Sequence, residues 1–189
     1  ETKLRYAEGI LRCREWFSTA IVIHTILPVG LLAVGYPCGI WAIECFFNIP
    51  PDRILACVWV WRFVCLSSFV SMVSVPFSAM YNAKQEIAEL TIYGVASTTL
   101  NFLFLCYMIT HPGSWLVRYA AWTCVIAVIP QLVICVRALF VFTECRFTLQ
   151  NLLAWDRVRD LFSFTAGRFI CALSLVAWHQ GRAILVNKF

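Results

Sequence analysis

Residues 16–43 read WFSTAIVIHTILPVGLLAVGYPCGIWAI and contain no Asp, Glu, Lys or Arg. A membrane-spanning α-helix needs about 20 consecutive apolar residues to cross a hydrocarbon layer of roughly 30 Å. Three further uncharged runs follow, at residues 63–83, 90–117 and 119–136. A buried helix of a large soluble protein would account for one such run, but four in succession indicate a polytopic membrane protein.

The composition of the chain supports the same class. Hydrophobic residues make up 61% of the 189 residues and charged residues 13%, compared with roughly 45–50% and about 25% in soluble domains. A compact soluble domain of this size still needs polar residues to cover its surface. Backbone groups in lipid must be satisfied within each segment, and the alternation of a β-barrel is absent. We therefore predict an all-α fold.

Five to six spans are predicted within the chain. They are placed at about residues 17–37, 54–76, 90–109, 115–140 and 161–179, and a sixth starts near residue 183. Pro28 and Pro130 fall inside the first and fourth spans, where each acts as a hinge or as a static kink. Pro76 is expected to end the second span at the cytoplasmic face. Residues 77–83 are expected to finish the helix in the interface, and residues 84–86 to form a short turn before the third span. The chain has no initiator Met and stops as an apolar run begins, so it is expected to be a piece of a longer protein.

The Lys and Arg residues around the spans predict the orientation, because cytoplasmic loops are rich in them. Nine belong to one side of the predicted spans, namely Lys3, Arg5, Arg12, Arg14, Lys84, Arg137, Arg146, Arg157 and Arg159. Two belong to the other side, Arg53 and Arg118. The N-terminal segment and the segments at 77–89 and 141–160 are therefore expected to be cytoplasmic. The net charge of +5 then reflects this asymmetry and contact with anionic membrane lipids, and no nucleic-acid partner is expected.

The segment TLQNLLAWDRVRDLF, residues 148–162, places most of its apolar side chains on one helical face. It is predicted to form an amphipathic helix along the membrane surface. Because long cytoplasmic linkers commonly join the two helix bundles of a transporter, we place a boundary here. Residues 1–140 then belong to an N-terminal lobe, 141–160 to the linker and 161–189 to the start of a C-terminal lobe.

The sequence contains no recognisable catalytic or metal-binding motif. G-x-x-x-x-G-K-[ST], H-E-x-x-H and G-x-S-x-G are all missing, so no enzymatic activity, metal or cofactor is predicted. The ten cysteines include no C-x-x-C pair, and most lie in apolar runs, where they are interpreted as small packing residues. His24, inside the first span, is interpreted as a packed, hydrogen-bonded histidine rather than as a proton relay.

Arg62 is an ionisable residue deep inside a predicted span, nine residues past Arg53, or about 13 Å at 1.5 Å per residue. An arginine near mid-membrane is costly and usually faces a bundle interior or an aqueous cavity. Its guanidinium stays charged and forks onto phosphate oxygens. Arg62 is therefore a candidate contact for a phosphate-bearing substrate. The alternative is a local partner such as Ser67 or Tyr93.

Three other residues are candidate substrate contacts. Arg168 lies about two turns into the fifth span and Arg182 lies between the fifth and sixth, and each either contacts phosphate or extends to the membrane surface. Asn101 belongs, with Thr98 and Thr99, to a polar patch that either lines a cavity or hydrogen-bonds to a neighbouring helix. No predicted span interior contains Asp or Glu, so a proton or sodium site is expected in other parts of the protein.

Several stretches together resemble the bacterial polysaccharide-biosynthesis exporters of the multidrug/oligosaccharidyl-lipid/polysaccharide (MATE-like) flippase superfamily. They are REWFSTAIVIH (14–24), GIWAIECFFNIPPDR (39–53), WVWRFVCLSSFVSMVSVPFSAMYNAKQEI (59–87), ECRF (144–147) and FSFTAGRFICALSLVAWHQGRAILVNKF (162–189). Each motif is weak alone, and their order and spacing carry the resemblance. The family tends to have a neutral residue where Arg62 stands and His-Glu at positions 84 and 85, so this chain departs from the pattern there.

The resemblance implies roughly 12–14 helices in two lobes, of which this chain supplies the third to the seventh. It also implies flipping of a lipid-linked oligosaccharide, carried on undecaprenyl pyrophosphate, across the bacterial cytoplasmic (inner) membrane by alternating access between the lobes. The coupling ion, H⁺ or Na⁺, is left open. A multidrug or cation antiporter of the same superfamily is the alternative, disfavoured by the arginines and the missing in-span carboxylate. A non-transporting membrane assembly subunit is a third hypothesis.

Overall fold

The computed structural model describes residues 2–111, 113, 115–146 and 155–188. All regular elements in these ranges are helical, which confirms the all-α prediction. The helices are α1 Thr2–Trp41, α2 Ile54–Ala83, α3 Ile87–Thr110, α4 Trp115–Val141 and α5 Trp155–Lys188. Short helical turns lie between them at Ala42–Phe46, Pro51–Arg53 and Thr143–Cys145.

Four of these helices, α1 to α4, are long and apolar enough to cross a membrane. They expose large apolar side chains such as Leu55, Ile109 and Phe140. Such surface is stabilised by contact with lipid or with other apolar surfaces rather than with water. The spans predicted at residues 161–179 and from 183 stay predictions, as do the MATE-like fold and the lobe boundary.

Helix α5 differs from the predicted arrangement of its segment. It runs from Trp155 to Lys188 without a break, so the proposed fifth span, the start of the sixth and the end of the predicted surface helix share one continuous helix. No proline occurs in this stretch to interrupt it. Residues 147–154, where most of the surface helix was expected, lie outside the described residues.

Helix α1 begins at Thr2, well before the span predicted from residue 17. Residues 2–15 contain no proline and several good helix formers, so the helix extends beyond its uncharged part. Within α1, Nδ1 of His24 lies 2.8 Å from the carbonyl oxygen of Ala20, one turn earlier. This contact confirms the hydrogen-bonded interpretation of His24.

Helix α2 continues through Pro76 to Ala83, which confirms the prediction that residues 77–83 finish the helix. Proline removes one backbone donor and bends a helix, but packing can hold the helix together across the bend. Pro76 is buried in α2. Pro28 and Pro130 likewise lie inside α1 and α4.

Helix α2 ends after Ala83 in a hydrogen-bonded cap around Gln85. The amide of Glu86 donates to the carbonyl oxygen of Tyr81 at 2.9 Å, and the amide of Gln85 donates to that of Asn82 at 3.1 Å. These are the two bonds of a Schellman motif. Gln85 adopts the left-handed conformation that the motif requires, with a φ of 61°. Glycine takes this conformation without strain, whereas other residues do not.

Replacing Gln85 with glycine is expected to raise the free energy of unfolding by about 1 kcal/mol, because the left-handed conformation costs a residue with a Cβ about 1–2 kcal/mol and glycine loses part of that gain in chain entropy. Thermal unfolding of the purified protein in detergent micelles measures the change. Gln85→Ala is the matched control, since it keeps the Cβ, and it should unfold like the wild type. A Gln85→Gly variant that melts below the wild type would contradict this account of the turn.

Helix α2 lies at the centre of the bundle and packs against α1 and α4, whereas α3 packs mainly against α4. The helices α1 and α2 come close at Gly39, where an added Cβ would overlap the Trp61 ring. The Trp61 indole nitrogen donates to the backbone oxygen of Tyr36 at 3.2 Å. Helix α3 has no buried residue, so it is the most loosely held of the first four helices.

The core lies where α1, α2, α4 and the turn after α4 meet. It consists of Phe17, Phe77, Tyr81, Ile134, Ala138, Phe142 and Cys145. Two edge-to-face ring pairs organise it, Phe17 with Phe77 at 5.2 Å and Tyr81 with Phe142 at 5.0 Å between ring centroids. Such pairs contribute attraction beyond the area that they bury.

Charged side chains that are distant in sequence meet around this core, and we call this part of the bundle the charged end. Its contacts are Lys84–Glu144 at 2.5 Å, Arg137–Glu89, Arg157–Glu15 at 3.0 Å and the hydrogen bond from Arg14 Nε to the Thr143 carbonyl oxygen at 3.0 Å. All four basic residues belong to the set that the sequence assigns to one side of the membrane. The structure therefore brings together basic residues that the sequence analysis assigns to the cytoplasmic side.

Candidate functional site

A polar groove of about 540 Å³ lies between α3 and α4. Its polar lining residues are Ser78, Tyr93, Ser97, Thr98, Asn101, Thr123 and Gln131. Valine, leucine, alanine and isoleucine are the commonest residues of the same helices elsewhere. A concave surface with a few convergent polar groups is the usual form of a ligand site.

Helical periodicity builds this groove. Lining positions 94, 97, 98 and 101 of α3 follow the i, i+3, i+4, i+7 spacing that places side chains on one face of a helix. Lining positions 123, 126, 127, 130, 131 and 134 of α4 follow the same spacing. The two faces meet across the groove, because α3 packs mainly against α4.

Asn101, a predicted substrate contact, lies in this groove. Its Oδ1 atom is buried and accepts no hydrogen bond within the described part of the chain. The Thr98 hydroxyl donates within α3, to the Gly94 carbonyl oxygen at 3.0 Å. Of the two roles predicted for this patch, cavity lining is the one that Asn101 and Thr98 adopt. A buried acceptor without a donor is costly, so Asn101 offers a favourable position for a ligand hydroxyl.

Gln131 is a groove residue that the sequence reasoning missed. Its Oε1 accepts a hydrogen bond from the Ser74 hydroxyl at 2.6 Å. This bond joins α2 to α4 and orients the Gln131 amide at the groove wall. A signal for it exists in the sequence, because Gln131 is the only amide side chain in the uncharged run at 119–136.

Arg62 does not line this groove. It is exposed, its Nε donates to the Tyr36 hydroxyl at 3.3 Å, and its Cζ lies 4.8 Å from the centroid of the Trp59 ring. Arg62 therefore has a local partner, as the alternative predicts, but this partner is Tyr36 rather than Ser67 or Tyr93. The physical reason is that α1 lies beside α2 at this level and presents Tyr36 to the guanidinium.

The other two predicted arginines lie on α5. The side chains of Arg168 and Arg182 are outside the described residues, so their contact with substrate stays a prediction. Arg62 lies between α1 and α2, whereas Asn101 lies between α3 and α4. Of the predicted substrate contacts whose side chains the structure describes, Asn101 lies in the groove and Arg62 does not.

An ion pair lies at one end of the groove. Helix α3 begins at Ile87, so Glu89 lies in its first turn, one residue before the span predicted from residue 90. Arg137 meets both carboxylate oxygens of Glu89, with Nη2 donating to Oε2 at 3.1 Å and Nε paired with Oε1. The Tyr93 hydroxyl, from the groove wall, donates to Glu89 Oε1 at 3.0 Å.

Stacked aromatic rings lie at the other end of the groove. The rings of Phe104 from α3 and Trp122 from α4 are 4.7 Å apart and inclined by 24°. Among the described residues, this stack and the Glu89–Arg137 pair join α3 to α4 at the two ends of the groove. Helix α3 is therefore fastened at both ends of the groove and separated from α4 along it.

Within the residues described, no group of three His, Cys, Asp or Glu side chains is arranged to hold a metal ion. No family model, curated protein or solved structure matches the chain. The resemblance of its motifs to polysaccharide exporters therefore stays a prediction.

Proposed function

We propose that the chain forms part of a membrane transporter that flips a lipid-linked oligosaccharide, carried on undecaprenyl pyrophosphate, across a bacterial cytoplasmic membrane. The polar groove between α3 and α4 is the observation that carries this proposal. A polar head group needs hydrogen-bonding side chains along its path, whereas a polyisoprenyl tail is satisfied by lipid. A groove that carries seven polar side chains among apolar ones and is flanked by exposed apolar side chains suits both parts of such a substrate.

The positions of the charges support an orientation with the charged end in the cytoplasm. Residues 63–83 of α2 are uncharged and extend about 30 Å, the thickness of the hydrocarbon layer. With Lys84 at the cytoplasmic surface, Arg62 then lies at the outer surface rather than at mid-membrane. Its neighbours Trp59 and Tyr36 suit this level, because Trp and Tyr are enriched at membrane interfaces.

A cation antiporter receives less support from the described residues. Such a transporter needs a carboxylate available to a cation inside the membrane. Glu89 is the carboxylate nearest the groove, and Arg137 and Tyr93 already engage it. An anionic ligand, which would interact with the arginine instead, fits this end of the groove better.

The replacement Asn101→Leu is expected to slow flipping by about tenfold or more, because it removes a buried hydrogen-bonding group from the path of the head group. The full-length protein is reconstituted in proteoliposomes with a fluorescent, pyrophosphate-linked disaccharide lipid. Flipping is followed as the sugar becomes accessible to an added glycosidase. Thr91→Leu is the matched control, since it adds the same side chain at an exposed position of α3 outside the groove. Equal rates for the two variants, or no flipping by the wild type, would refute the proposal.

A further inference from the structure

We propose that Arg137 is the residue with which the polar groove binds the phosphate group of its ligand, and that Glu89 occupies this anion site when the ligand is absent. The inference rests on the proposed function, because it concerns the same groove. It also assigns the anion contact to an arginine other than Arg62, Arg168 and Arg182.

The geometry of the Glu89–Arg137 pair is that of an anion site already filled. The guanidinium presents Nε and Nη2 to the two oxygens of one carboxylate. A phosphate group offers the same pair of oxygens to this planar fork and carries more charge. Glu89 therefore holds the place that a ligand anion would take.

The site is accessible from the groove. Arg137 lies one helical turn beyond Ile134, a lining residue, and its side chain remains 53% exposed. Glu89 is bound by Tyr93, which itself lines the groove. A head group that lies along Asn101 and Tyr93 can thus reach the Arg137 guanidinium at the end of the groove.

The two partners differ in how firmly they are held. Arg137 belongs to α4, which packs extensively against the central helix α2, whereas Glu89 belongs to the loosely held α3. An anion that competes for Arg137 would therefore displace Glu89 and leave the guanidinium in place. Such displacement would also release one of the two points that fasten α3 to α4, so ligand binding and opening of the groove would be coupled.

Tyr81 supplies a second donor at this site. Its ring is almost fully buried, and none of the described residues accepts a hydrogen bond from its hydroxyl. It lies close enough to Glu89 and Arg137 to interact electrostatically with both. Because a guanidinium only donates hydrogen bonds, a phosphate oxygen on Arg137 would provide the acceptor that the Tyr81 hydroxyl lacks.

The inference is tested by titrating the purified full chain, in neutral detergent micelles, with inorganic pyrophosphate in a calorimeter. Glu89→Gln should bind pyrophosphate about tenfold more tightly than the wild type, because its competitor for the fork is neutral, and Arg137→Gln should bind about tenfold more weakly or not at all. Arg118→Gln is the matched control, since it removes an exposed arginine near the opposite end of α4, and its affinity should not change. In an anion site, the two substitutions change the affinity for pyrophosphate in opposite directions. In a purely structural ion pair, loss of either partner would change the affinity in the same direction.

Should Arg137→Gln fail to yield folded protein, Arg137→Lys provides the same test, because it keeps the charge and loses the fork. Equal affinity of the wild type, Glu89→Gln and the Arg137 variant, or weaker binding by Glu89→Gln, would overturn the inference. A parallel titration with geranyl pyrophosphate assigns the source of the phosphate: tighter binding than that of the inorganic ion indicates a lipid-linked group, and equal binding a free one. Both results retain Arg137 as the anion site. Binding with this signature but without flipping in proteoliposomes would refute the proposed function alone.

Discussion

Replacement of Tyr81 by alanine is expected to lower the free energy of unfolding by about 3–5 kcal/mol, the range found for large aromatic-to-alanine changes in protein cores. Tyr81 is 1% exposed and lies between α2 and the turn that follows α4. Its ring packs edge-to-face on Phe142 at 5.0 Å. The substitution would remove this contact and leave a cavity at the junction of the core. Thermal or dodecyl sulfate unfolding in micelles, followed by circular dichroism, measures the loss.

Two further variants separate the ring of Tyr81 from its hydroxyl. Tyr107→Ala is the matched control for the ring, since Tyr107 is 52% exposed, and it should change the stability by less than about 0.5 kcal/mol. Tyr81→Phe should be close to the wild type in stability, because none of the described residues accepts a hydrogen bond from the buried hydroxyl. If Tyr81→Ala lost no more stability than Tyr107→Ala, the charged end would not be the structural core.

The uncharged runs predict α1 to α4 well because a charge inside a membrane span is costly, so its absence marks the span. They predict the end of α2 at Ala83 but not the start of α1. A helix continues past its first charge wherever the sequence has good helix formers, and α1 reaches back to Thr2 for this reason. The left-handed backbone of Gln85 in the turn after α2 is not predictable from a glycine, because none occurs there.

The part of α2 that crosses the membrane decides how Arg62 is interpreted. A span at residues 54–76 places Arg62 near the middle of the membrane. The uncharged residues 63–83 of α2 also suffice to cross the hydrocarbon layer, and in the proposed orientation they place Arg62 at its edge. The position of Arg62 at the membrane edge thus weakens its assignment as a substrate contact, which rested on its distance from Arg53 along the sequence.

The groove was only partly predictable. The spacing of Thr98 and Asn101 places both on one face of α3, and this is enough to propose a polar patch. The partner of that face, including Gln131, depends on which helix packs beside α3. The Glu89–Arg137 pair joins residues 48 positions apart, so it depends on the register of two helices, which periodicity alone does not fix.

Acidification is expected to weaken the charged end through Glu144, which lies in the turn after α4. The hydrogen bond from Lys84 holds the pKa of Glu144 below its ordinary value of 4.5, although burial of the carboxyl opposes this effect. A carboxyl group with a lowered pKa in the folded state stabilises the protein above its unfolded pKa and loses that contribution as the pH falls through the folded one. The stabilisation should therefore be complete above about pH 5 and should decline below pH 4.5.

The replacement Glu144→Gln isolates this contribution. At pH 7 it should lower the free energy of unfolding by about 1–2 kcal/mol, between the value of an exposed ion pair and that of a hydrogen bond to a buried charge, because Lys84 is 42% and Glu144 11% exposed. The melting temperatures of the variant and the wild type should begin to approach each other below pH 4.5 and should converge as the pH falls through the lowered pKa of Glu144 in the folded state. Glu44→Gln, at an exposed position near the end of α1, is the control and should follow the wild type throughout. A constant difference between Glu144→Gln and the wild type down to pH 3 would mean that the Glu144 carboxylate charge does not fasten the turn after α4 to the α2–α3 turn.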